Sequence, residues 1–172
     1  PDQMLRATVG LALKRARLEN VYSALRGRDA ATGLDNPEKR DGQFALMREA
    51  QKAVLNLANW HHFLDGLKLA GYRGQKMISS ETAIIYCYVL YLIGIRDYGI
   101  DRSDARQAIA EYFFMSAMTG RYTNSPETRF EADLAAVRDL TNGQAFLAKL
   151  REICATTLTN DYWEITLPSQ LA

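Results

Sequence analysis

An all-α fold, a single multi-helix bundle of about seven helices forming one domain over residues 1–172, follows from three observations. Apolar residues recur at three- and four-residue spacings along most of the chain, as one face of a helix requires. Alternating apolar and polar runs, the signature of half-buried strands, are almost absent. Helix boundary signals, a Ser, Asp or Asn before a periodic run and a Gly after one, punctuate the sequence. With 48% hydrophobic residues the chain has ample material for a core, and a chain of this length hides roughly two-thirds of its unfolded surface without a disulfide or metal staple.

Residues 2–26 read as one helix. Met4, Leu11, Leu18 and Leu25 recur at every seventh position, while Leu5, Val9, Ala12 and Ala16 make a second apolar flank, so this helix is expected to touch neighbours on two sides and to be central. A loop with two glycines follows, and Asn36 with Pro37 opens a second helix running to about Ala58 through Phe44, Met47, Val54 and Leu57. Asn59 is expected to cap residues 60–70, and residues 71–76 form a basic connection. Ser79 or Ser80 caps an apolar helix ending near Gly94. Its apolar run, residues 83–95, is 13 long, short of the roughly 20 that span a bilayer, so it is expected to be a buried core helix and no membrane partner is implied.

Asp101 caps the next helix, with Asp104 at the capping-box position, and that helix reaches Met118. Gly120 is placed to take a left-handed conformation past the helix end, and Ser125 with Pro126 opens the segment carrying Phe130, Leu134 and Val137. Thr141 or Asn142 starts the last long helix, and residues 160–167 add a short turn before Pro168. No repeat, low-complexity stretch or flexible linker divides the chain, which is why one domain suffices.

Charge excludes little and favours little. Lys plus Arg at 21 against Asp plus Glu at 20 leaves +1, so no global field draws the chain to nucleic acid or a membrane surface. Cys87 and Cys154 lie in separate apolar helical patterns without metal-type spacing, and are expected to be buried and reduced in a cytoplasmic protein.

The candidate chemistry is sparse. His61 and His62 are adjacent, and neighbours on a helix point about 100° apart, so they cannot jointly grip one metal. Tyr86, Tyr88 and Tyr91 suit either a pocket or core packing in which each hydroxyl finds a partner. Glu111, Glu127, Glu131 and Asp133 cluster near one loop but lack a His or metal partner, and are expected to serve as a cap and a solvated helix face. No catalytic, cofactor or metal residue is therefore expected in the chain.

Arg121, between Gly120 and Tyr122, has two readings: it ties the loop together by pairing with Glu127 or Asp133, or it contacts a phosphate together with Ser125 at the following helix N-terminus. Arg73 and Lys76 in the basic connection carry the same pair of readings. Arg6, Lys14 and Arg17 fall on one side of the first helix, with Arg28 in the loop beyond, and form either a solvated face or a weak, sequence-independent DNA contact.

The segment YFFMSAMTGRYTNSPETRFEADLAAV, residues 112–137, is the most distinctive part of the chain. With its flanks WHHFLDGLKLAGYRGQKMISSETAIIYCYVLYLIG and QMLRATVGLALKRARLENVYSALRG it resembles the helical region of GmrSD-type restriction endonuclease proteins. The resemblance is loosest over residues 28–45 and after Gly143, and most specific at Gly-Arg-Tyr followed by Ser-Pro-Glu-Thr. It implies a fragment of a nucleotide-dependent, modification-dependent endonuclease, lacking an N-terminal ParB-like nuclease domain and any C-terminal HNH domain. The partners it implies are those missing domains of the same polypeptide, with DNA as a further candidate.

Asp41, Gly42 and Gln43 echo the first residues of that family's Asp-Gly-Gln-Gln-Arg strand, but Phe44 and Ala45 follow in a helix-forming run. The chain alone is accordingly expected to be non-catalytic and without a cofactor. The composition equally fits a stand-alone helical interaction or nucleic-acid-binding module.

Overall fold

The computed structural model describes residues 2–28, 32–74 and 80–171. Among them the chain forms α1 (Asp2–Leu13), α2 (Leu18–Leu25), α3 (Pro37–Val54), α4 (Leu57–Leu69), α5 (Glu81–Asp97), α6 (Arg102–Met118), α7 (Pro126–Val137), α8 (Gly143–Thr157), a π-helical turn (Tyr162–Thr166) and α9 (Leu167–Leu171). The all-α class holds, and the only strand-like pairing among the described residues is an isolated bridge between Arg28 and Asp35. Among the described residues nine α-helices replace the expected count of about seven, because the first helix is broken and the segment after Thr157 is helical.

The break in the first helix is a correction with a specific cause. Nothing in Leu-Lys-Arg-Ala-Arg is a helix breaker, yet Lys14 adopts a left-handed φ of 52° and α1 stops. The freed amides of Ala16 and Arg17, at the start of α2, point at the Glu131 carboxylate of α7, with Arg17 N to Oε2 at 3.0 Å. Asn20 adds a bond to Glu131 Oε1 at 2.9 Å and Arg15 another at 3.1 Å. Arg17, the residue before α2, supplies no side-chain cap, so a carboxylate from a distant helix takes the role that an N-cap side chain ordinarily fills. The sevenfold pattern therefore does not form one seam: Leu11 is buried in the core while Leu18 is 68% exposed.

The turn between α3 and α4 also differs from expectation. Asn56, not Asn59, caps α4, its Oδ1 accepting the Ala58 amide at 2.9 Å. Asn59 lies within the first turn of the helix and donates to the Ala53 carbonyl at 3.1 Å. Trp60 Nε1 and the Tyr88 hydroxyl donate to the Val54 carbonyl at 2.8 and 3.2 Å. The last carbonyls of α3, which have no intrahelical partner, are thereby bonded by side chains of α4 and α5.

The same device recurs at other helix ends. Tyr98 donates to the Val137 carbonyl at the end of α7, and Tyr162 donates to the Met118 carbonyl at the end of α6 at 2.7 Å. Phenols suit this task because an apolar ring fills space while the hydroxyl reaches a polar group.

Helix α5 is the centre of the molecule. Every residue from Ile85 to Gly94 is buried, and α5 touches α1, α3, α4, α6 and α7. Helix α1 contacts α3, α5 and α2, which agrees with its two expected neighbours. Tyr86 stacks on Phe130 of α7 with ring centroids 3.9 Å apart, and Trp60 stacks on Tyr88 at 3.7 Å. Gly10 is where α1 comes nearest this stack, since a Cβ there would lie 3.2 Å from the Phe130 ring. No helix among the described residues is long and apolar enough to cross a membrane.

Candidate functional site

The distinctive junction between α6 and α7 is built around one buried carboxylate. Helix α6 ends at Met118, Gly120 turns with φ 59° as its position predicts, and Arg121 and Tyr122 are directed inward. Asp133, one turn from the end of α7, accepts bonds from Arg121 Nε at 3.1 Å, Arg121 Nη2 at 2.5 Å and the Tyr122 hydroxyl at 2.7 Å. Because the Tyr122 proton goes to Asp133, the Tyr112 hydroxyl 3.1 Å away is the donor to the Tyr122 oxygen. Arg121 also lies over the Tyr112 ring, 5.8 Å from its centroid.

The side chains of Arg121 and Asp133 are only 10% and 4% exposed. Burial is the largest single influence and disfavours the Arg121 cation, but the Asp133 hydrogen bond together with the charge interactions of Tyr112, Asp133 and Tyr122 outweighs it and drives the guanidinium pKa upward. Burial, reinforced for Tyr112 by the Asp133 charge, pushes both phenols well above their ordinary range. The site is thus a fixed ion pair with two neutral phenols, a bidentate guanidinium–carboxylate pair of the kind that specifies geometry. Of the two readings of Arg121, its geometry is that of a tie within the junction.

Ser125 does not do what its position suggests. It adopts a left-handed φ of 51° and makes no side-chain cap bond, while its carbonyl accepts the Arg129 amide at 3.1 Å. The first turn of α7 instead presents Glu127, whose carboxyl is held below its usual range chiefly by its bond to Arg6. A carboxylate already occupies the neighbourhood that an anion would seek at this helix start.

The acids near the loop are not a solvated face. Asp133 is buried, and Glu131 is engaged with four groups across the α1–α2 break. Burial raises the Glu131 pKa, but the Ala16 and Arg17 amides, with Arg15 and Asn20, outweigh it and leave the carboxyl below its usual range. Glu111, bonded to Gln107 at 3.0 Å on α6, and Glu127, partly exposed in the first turn of α7, stay nearer to what the sequence suggests.

Arg6, Lys14 and Arg17 are not brought to one helical face, since the chain turns at Lys14. Each sits beside a carboxylate: Arg6 with Glu127, Lys14 with Asp97 at 2.6 Å, and Arg17 with Glu19 at 2.8 Å. Arg73 is exposed beyond α4, and Lys76 lies outside the described residues. Tyr86, Tyr88 and Tyr91 are core residues, but contrary to expectation the buried Tyr91 hydroxyl has no hydrogen-bond partner among the described residues, whereas that of Tyr88 does. Among the described residues no group of three or more His, Cys, Asp or Glu side chains converges as a metal site would require. Cys87 is buried, and burial pushes its thiol far up; Cys154 is partly buried and raised to about 11 by the same cause.

Two clefts escape the sequence. One of about 660 Å³ lies between the end of α4, α6 and α8, with Leu69, Phe114, Glu111, Arg151 and Cys154 in its walls. The other, of about 270 Å³, runs between α1 and α3 beside Leu5, Phe44, Met47, Arg48 and Leu55. The second is marked only by exposure: α3 is 18 residues long but has only Ala50 and Val54 buried, fewer than an amphipathic helix of a closed bundle supplies.

No protein-family model, no curated protein and no solved structure matches the chain.

Proposed function

We propose that this chain is the non-catalytic helical domain of a GmrSD-like endonuclease, a nucleotide-dependent enzyme directed at modified or foreign DNA, and that it works by packing on the domain that performs the chemistry. The resemblance over residues 112–137 supports this reading at the level of analogy. The observation that carries it is the use made of the polar residues at that junction. Arg121, Tyr122, Asp133 and Glu131 all face inward and fix α6, α7 and α2 against each other, so the junction acts as a bracket that sets helix angles. The cleft between α4, α6 and α8 is the surface this reading gives to the neighbouring domain, with Leu69 and Phe114 offering apolar area and Glu111 and Arg151 fixing orientation.

The reading frame upstream of the Pro1 codon tests the proposal. A strand carrying Asp-Gly-Gln-Gln-Arg supports it, whereas an initiator Met within a few codons favours a stand-alone module. The purified chain is expected neither to cleave glucosylated, hydroxymethylated or plain DNA nor to turn over nucleoside triphosphates. Turnover that survives purification and vanishes on mutating a residue of this chain overturns the non-catalytic reading.

A further inference from the structure

The outer face of α3 carries a pattern that the fold leaves unused. From Pro37 to Glu49 no residue of α3 is buried, yet this stretch and its surroundings hold Phe44 at 45% exposure, with Leu55 at 53%, Leu5 at 58% and Leu34 at 70%. Asp41, Phe44, Arg48, Gln51 and Leu55 follow one another at alternating spacings of three and four, which places them on a single stripe of the helix. Phe44, Arg48, Gln51 and Leu55 form one side of the cleft between α1 and α3.

The stripe is self-complementary under reversal about the midpoint between Phe44 and Ala45. Reversal sets Asp41 against Arg48, Glu38 against Gln51, and Phe44 beside its own counterpart. Each polar match joins an acceptor to a donor, and the central aromatic residue meets another. An isologous twofold interface demands this property, because residue i must suit residue j while j suits i. The charges are available for it. Among the described residues Arg48 makes no ion pair, and Asp41 has one only with its exposed neighbour Arg40 at 3.1 Å, a kind of contact that contributes little.

We propose that α3 is a homodimer interface in which a second copy of this chain lies antiparallel along the stripe, with reciprocal Asp41–Arg48 pairs flanking a Phe44–Phe44 contact at the twofold axis. Leu5 of α1 widens the apolar strip on each side, so that the partner helix rests in the α1–α3 cleft rather than on α3 alone. The interface is independent of any chemistry in a parent enzyme.

Sedimentation equilibrium on the purified chain tests this with a charge swap. The wild type is expected to dimerise reversibly in the micromolar range, from 19.4 kDa to twice that mass. Asp41→Arg and Arg48→Asp are each expected to weaken dimerisation about tenfold or more by setting like charges face to face. The double variant, in which both contacts are restored with reversed sign, is expected to return to within about threefold of wild type. All substituted positions are exposed, and unchanged circular dichroism confirms that the fold is kept. A wild type that stays monomeric at about 100 μM, or a double variant no better than the worse single one, overturns the proposal, as does a dimer indifferent to all three changes.

Discussion

Glu131 of α7 accepts the backbone amide of Arg17 at 3.0 Å, 114 residues away in sequence, and so holds the start of a helix to which it does not belong. The carboxylate is mostly buried and also binds Ala16, Arg15 and Asn20. Removing it leaves two backbone donors and an amide side chain without their acceptor. Glu131→Ala is therefore expected to destabilise the domain by about 2–3 kcal/mol, in line with hydrogen bonds to a charged group, as read from urea midpoints at pH 7. A midpoint unchanged from wild type would show that the α1–α2 break is held by other contacts.

The same residue gives stability a pH dependence of known sign. Its folded pKa lies below the unfolded value, so its contribution is present above the unfolded Glu value of about 4.3 and is lost as pH falls through the folded pKa. Titrating urea stability from pH 7 to pH 3 is expected to show a decline that is shallower in Glu131→Gln than in wild type. Parallel declines would exclude Glu131 as a contributor.

Asp133 is expected to be the most sensitive side chain of the junction. Asp133→Ala leaves the Arg121 cation buried without its anion, and breaking a buried pair from one side costs about 3–5 kcal/mol. The double change Arg121→Met with Asp133→Leu removes both charges and is expected to cost much less than the single one. Thermal melts of the three proteins decide this. A single variant as stable as wild type contradicts the buried pair.

The loop offers a prediction in the opposite direction. Ser125 holds φ 51° without a cap bond, so Ser125→Ala is expected to change stability by no more than about 0.5 kcal/mol. Ser125→Gly removes the left-handed strain and is expected to stabilise by about 0.5–1 kcal/mol. Gly120→Val runs the other way, because φ 59° is retained while a Cβ would meet Thr123 Oγ1 at 3.0 Å, and should destabilise by about 1 kcal/mol or more. Equal midpoints for all three would mean the turn relaxes freely.

DNA contact through Arg6, Lys14 and Arg17 has a direct readout. Each of these groups sits beside a carboxylate, which leaves little net positive potential for a phosphate backbone. Fluorescence anisotropy with a duplex at low and physiological salt is expected to show no difference between wild type and a variant with all three changed to Gln. Salt-sensitive binding lost in the variant would establish the basic patch as a DNA contact.

How much of this was legible follows from where the determining interactions lie. Helix α5 could be read because residues 83–95 are apolar around the whole circumference, which only a central helix tolerates. Gly120 could be read because a local backbone requirement has a local signature. The α1–α2 break could not, since its cause is Glu131, far along the chain and indistinguishable by sequence from a solvated Glu on an exposed face. Asn59 and Asn56 both satisfy the local rule for a cap, and the choice falls to the Ala53 and Val54 carbonyls that Asn59 and Trp60 reach from inside the helix. Arg121 was open to two readings, and its buried pairing with Asp133 is the geometry of the first. The α3 stripe escaped notice because its residues are individually ordinary and only their exposure marks them.

The bond from α7 to the amides of residues 16 and 17 also bears on the order of events during synthesis. During synthesis residues 2–25 emerge long before residue 131 has been added, since domains emerge N-terminus first. Until α7 arrives, the amides of Ala16 and Arg17 lack their acceptor, and Asp97 of α5 is the earlier partner that Lys14 can meet. The bend is then completed late, when the last third of the chain supplies the carboxylate that these two amides require.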